Sequence, residues 1–83
     1  MPVTIRLIGF GDDKPPGFDS IGRRSIAIES TLTIDRLLQL AGIEPAPDLI
    51  VMNTDSVIPR PEWGDYRVTG DAEITVLSAI EGG

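Results

Sequence analysis

The residues best suited to chemistry are the last two, Gly82 and Gly83. A carboxylate at a chain terminus is ionised at pH 7 and resists nucleophilic attack, so it reacts only once its oxygen has become part of a leaving group. Glycine fits that use. A Cβ would narrow the permitted φ/ψ range and obstruct close approach of the acyl carbon to a second reactant. Gly82 supplies freedom to bend, and Gly83 leaves the acyl carbon unhindered. Glu81 precedes them; it either steers the tail toward a basic channel or is merely solvated.

The rest of the chain offers little catalytic equipment. Cysteine and histidine are both absent. That excludes disulfides, Cys/His zinc sites and serine–histidine or cysteine–histidine nucleophiles. If the protein handles sulfur, it does so without a thiol of its own. Asp12 and Asp13 lie in a proline-rich loop and fall short of the ligand number calcium needs, so a solvated loop is expected there. Gly11 and Gly17 flank acids, whereas a phosphate cradle needs donors and a helix N-terminus. Arg60, between Pro59 and Pro61, can hold an acid of a partner or serve a local ion pair or carbonyl. Trp63 is the single tryptophan; it is a candidate partner contact, but a core or sheet-edge anchor is the commoner use in a small domain.

These residues must be positioned by a small body. The 83 residues make one domain, spanning 1–83, whose tail is expected to be flexible. A chain of this size buries only about 60–65% of its unfolded surface, which disfavours deep clefts and suits a binding or carrier module. Thirteen acidic residues against seven basic ones give a net charge of −6. Such a surface repels nucleic acid and anionic membranes and attracts a partner with a basic face. No apolar run reaches transmembrane length, and Met1-Pro2-Val3 leads directly into a strand pattern, so a soluble cytoplasmic protein is expected.

Hydrophobic periodicity outlines the elements. Val3, Ile5 and Leu7 alternate with Thr4 and Arg6, a half-buried strand. Residues 10–22 read as a long Gly/Asp/Pro loop, and residues 23–29 as the returning strand of a hairpin. The period then changes: Ile34, Leu37, Leu38 and Ala41 sit at helical spacing, with Thr33 as N-cap and Gly42 beyond the last turn. The apolar run of residues 49–52 predicts a central strand covered on both faces. Val57 and Ile58 form a brief strand, Thr69-Gly70-Asp71 a tight turn, and residues 73–77 a last strand with Ile74 and Val76 inward. This order predicts an α+β fold: a ubiquitin-like β-grasp, with a four- or five-stranded mixed sheet and one main helix across one face.

The segment from Asn53 to Asp71 contains Val57-Ile58-Pro59-Arg60-Pro61-Glu62-Trp63 and then Gly70-Asp71. With the element order and the terminal Gly82-Gly83, it resembles the ThiS/MoaD family of ubiquitin-like sulfur carriers, closer to ThiS around Pro59-Arg60 and Trp63. The resemblance covers the chain from about Thr33 onward. The loop at residues 10–22 is longer than a ThiS-type hairpin, the spacing from Gly70-Asp71 to the end is nearer to MoaD, and the proline-rich stretch MoaD often carries before its tail is missing.

The resemblance implies that a partner adenylyltransferase of the ubiquitin-activating type uses ATP to adenylate the carboxylate of Gly83. A sulfurtransferase then supplies sulfur, and a synthase accepts it from the resulting thiocarboxylate. The carrier is not itself an enzyme and binds no cofactor. Thiamine thiazole synthesis is the first destination and molybdopterin the second. Two other functions stay open: a modifier that joins Gly83 to lysine amines, and a β-grasp interaction domain whose glycines are incidental.

Overall fold

A computed structural model describes residues 2–11, 14–45 and 47–78. The chain forms β1 (Pro2–Ile8), β2 (Arg23–Ala27), β3 (Leu32–Thr33), α1 (Ile34–Ala41), β4 (Leu49–Asn53), β5 (Ser56–Ile58), a 3₁₀ turn at Arg60–Glu62, β6 (Arg67–Val68) and β7 (Glu73–Ser78). Five strands make one mixed sheet in the order β2-β1-β7-β4-β5. β1 and β7 are parallel, and the other neighbours are antiparallel. This is the α+β, β-grasp-compatible arrangement expected from the element order. The last strand, not the apolar run of β4, occupies the centre.

Helix α1 begins and ends where its sequence signals lie. The Thr33 hydroxyl accepts from the Arg36 N–H at 3.2 Å, and Asp35 occupies the first turn, where the helix dipole favours an acid. At the other end Gly42 takes φ 77°, a left-handed conformation with no Cβ to oppose it. Its N–H donates to the Gln39 carbonyl, and the next N–H, of Ile43, donates to Leu38.

Ile34, Leu37, Leu38 and Ala41 form the buried stripe of α1. They join the inward row of the sheet: Val3, Ile5, Leu7, Leu49, Val51, Ile58, Ile74 and Val76. Leu37 has no exposed surface, whereas Leu40, on the outer side of α1, is 41% exposed. Leu37→Ala is therefore expected to destabilise the domain by ~2–5 kcal/mol, and Leu40→Ala by less than about 0.5 kcal/mol. Urea unfolding of both variants checks this; equal midpoints would contradict the helix phase.

Three expectations need correction. β4 is an inner strand but is covered on one face only, since Ile50 is 39% exposed and Met52 half-buried. The helix covers one side of the sheet, so the second face of a continuous apolar run stays open. The returning strand ends at Ala27 instead of Glu29. Residues 32–33 and 67–68 also pair as a second, two-stranded sheet, with Leu32 opposite Val68, where no strand was expected.

The long loop is more structured than its composition implies. Phe10 and Phe18 are half-buried and pack on the core. The Asp19 carboxylate accepts from the N–H groups of Ile21 (3.0 Å) and Arg23 (2.9 Å), turning the chain into β2. Asp12 and Asp13 lie outside the described residues. No described helix is long and apolar enough to cross a membrane.

Candidate functional site

Residues 79–83, including Glu81, Gly82 and Gly83, lie outside the described residues, so the site is defined by what leads into it. β7 ends at Ser78 with β1 on one side and β4 on the other. Ser78 lies opposite Leu49, and Leu77 opposite both Ile8 and Ile50. A strand held on both sides fixes the point from which the tail departs. Five further residues span at most roughly 17 Å when fully extended.

Gly9 marks how closely the chain packs at this exit. It adopts φ 82°, and a Cβ built on it would come within 2.8 Å of the Ser78 carbonyl oxygen. The backbone beyond β1 therefore passes against the end of β7 at a distance that only glycine permits.

Arg60 and Trp63 lie beyond β5 at the same end of the sheet. Ile58 and Val76 both pair with Val51, so the chain after Ile58 leaves the sheet about where β7 finishes. Pro59 and Pro61 prevent further pairing, and the chain tightens into the 3₁₀ turn. Trp63 follows, 3% exposed, its indole Nε1–H donating to the Ile58 carbonyl at 2.9 Å. Its carbonyl accepts from the Asp35 N–H in the first turn of α1 at 3.3 Å. Trp63 is thus the core anchor; its burial removes the indole as an exposed partner contact.

Arg60 is exposed and stacks over the Trp63 ring, its guanidinium carbon 4.4 Å from the centroid. Such a cation–π contact is worth about 0.5–1 kcal/mol at an exposed site and orients the side chain. Asn53 supports the neighbouring turn, its amide donating to the Tyr66 hydroxyl at 2.9 Å. A shallow cleft of about 260 Å³ lies among Ile28–Thr31, Thr69 and Gly70, near the start of β7 and away from the tail exit.

Which side chains form the open face of the sheet was not readable in the sequence. Ile8, Leu77 and Ile50 form one cross-strand row there, and the pair Met52–Val57 lies beside it. The available signal was the set of apolar residues out of phase with the inward alternation. No family model and no curated protein matches the chain.

Proposed function

We propose that the protein is a sulfur carrier whose working group is the carboxylate of Gly83. The observation that supports this most is the placement of the last strand. Central β7 is clamped between β1 and β4, and only four residues separate its end from Gly83. A rigid body then presents a short reactive terminus to other proteins' active sites. The chain's lack of cysteine and histidine agrees with a co-substrate role, in which the partners supply the catalytic groups.

The chemistry proceeds in two displacements. A carboxylate oxygen of Gly83 attacks the α-phosphorus of ATP, and pyrophosphate leaves, giving an acyl-adenylate on the partner adenylyltransferase. Sulfur from a donor at the sulfide oxidation level attacks the acyl carbon, the C–O bond to AMP breaks, and a thiocarboxylate remains. That terminus delivers sulfur to an accepting synthase, with thiamine thiazole formation as the first candidate and molybdopterin formation as the second. Conjugation to lysine begins with the same acyl-adenylate and is the competing outcome.

The test is ATP–pyrophosphate exchange by a ubiquitin-activating-type adenylyltransferase from the same cell. Exchange that depends on added chain is the expected result. No exchange with any such enzyme would leave the domain as an interaction module.

A further inference from the structure

One further side chain can take an acyl group into a stable bond. Lys14 is the single lysine of the chain, against six arginines, and cysteine and histidine are absent. A guanidinium stays protonated and accepts no acyl group at neutral pH. A serine, threonine or tyrosine hydroxyl gives only an ester, which hydroxylamine cleaves. An amide between an activated Gly83 and a side chain of this same protein therefore has one acceptor, the Lys14 Nζ.

The fold puts that amine at the end of the sheet from which the tail leaves. β1 and β7 run parallel, and Ile8 lies opposite Leu77 where both strands finish. The chain then passes Gly9, packed against the Ser78 carbonyl, and reaches the half-buried Lys14 five residues on. The residues after Lys14 are held in place. A Cβ built on Gly42, just past α1, would lie 3.5 Å from the Pro15 ring. The Arg24 guanidinium donates to the Pro16 carbonyl at 3.4 Å and lies over the Phe18 ring, 6.0 Å from its centroid. From Gly42 the chain goes on into β4 at Leu49, opposite Ser78, so the end of α1 belongs to the same end of the sheet. The base of the Lys14 side chain is thus fixed there, and a flexible four-carbon stem carries the amine. The start of β1 is the far side: Pro2 lies about 20 Å from Ile8 at roughly 3.3 Å per residue, more than the roughly 17 Å that five tail residues span.

We infer that Lys14 is the acceptor on which an activated Gly83 closes within one chain when no sulfur is supplied. The Lys14 Nζ attacks the acyl carbon of the Gly83 adenylate, the C–O bond to AMP breaks, AMP leaves, and the nitrogen gives its extra proton to solvent. The product is a chain closed by an isopeptide bond, lighter than the starting chain by one water. It has no terminal carboxylate to activate again, so closure caps the carrier. The tail must leave the activating site before it can turn back, so a sulfur donor at that site reacts first. A short linker gives an effective concentration on the order of millimolar, which at about ten micromolar chain favours closure over the joining of two copies by about 10²-fold. The inference rests on the adenylation step of the carrier reading and adds a modification site and a fate for the unspent intermediate.

The experiment incubates the chain with the activating adenylyltransferase and ATP, without a sulfur donor, and reads its intact mass before and after hydroxylamine. Lys14→Arg and the Gly83 deletion run in parallel, each with a thermal melt and with ATP–pyrophosphate exchange. The unaltered chain is expected to lose one water, to resist hydroxylamine and to yield a branched peptide joining Gly83 to Lys14. Lys14→Arg should sustain exchange and form no closed chain, and the deletion should do neither. If the unaltered chain supports exchange but keeps its mass, if Lys14→Arg closes as readily, or if the main product is two joined copies, the closure is wrong and the carrier reading stands. If the unaltered chain supports no exchange, the carrier reading fails and the closure fails with it.

Discussion

Removing Gly83 is expected to abolish adenylation and to leave the fold intact. The residue lies five positions beyond the end of β7, and the core formed by the described residues runs from Val3 to Val76. The thermal midpoint should not move. Chemistry is far less forgiving. The deletion shortens the tail by one residue, roughly 3.3–3.6 Å of reach, whereas reacting atoms must come within about 3–3.5 Å of each other. A misplacement of this kind costs at least about 10²-fold in rate. Gly83→Ala should retain partial activity, since the reach is unchanged and only a Cβ is added beside the acyl carbon. ATP–pyrophosphate exchange and thermal melts of the two variants check both statements. Full exchange by the deletion would remove Gly83 as the site, and unfolding would make the glycines structural.

The largest loss of stability is expected from Trp63→Ala. This side chain ties together two elements, β5 through the indole N–H on Ile58 and the 3₁₀ turn through the Arg60 guanidinium on its ring, while the residue's main-chain carbonyl, which the substitution keeps, meets α1. Truncating a buried tryptophan costs ~3–5 kcal/mol. A domain of this size holds only about 4–12 kcal/mol in all, so the variant should be close to unfolding at room temperature. Trp63→Phe keeps most of the ring and loses the indole hydrogen bond, which places it at about 1–2 kcal/mol. Denaturant unfolding followed by circular dichroism measures both. A Trp63→Ala cost below about 1 kcal/mol would contradict its role as the anchor.

Features carried by neighbours in sequence were legible before the structure. The helix was readable from Thr33, the 34/37/38/41 stripe and Gly42, because cap and period are local properties. The inward phase of Ile74 and Val76 followed from strict alternation. β3 and β6 were not legible, since two-residue strands carry no period and are defined only by pairing across more than thirty residues. The exposed side of β4 escaped for a related reason. An apolar run is the same string whether one face or both are covered, and only the position of helix α1 decides.

The tail could be named from residue type alone. The apolar cluster on the open face could not, because Ile8, Ile50 and Leu77 become neighbours only through the register of β1, β7 and β4.

The most direct measurement is the intact mass of the chain after incubation with the activating adenylyltransferase, ATP and a sulfur donor, with the Gly83 deletion in parallel. A sulfur carrier gains the mass difference between one sulfur and one oxygen, the change maps to Gly83, and the deletion shows none. A chain that keeps its original mass while forming lysine-linked conjugates, or that remains unchanged with every such enzyme, contradicts the carrier function.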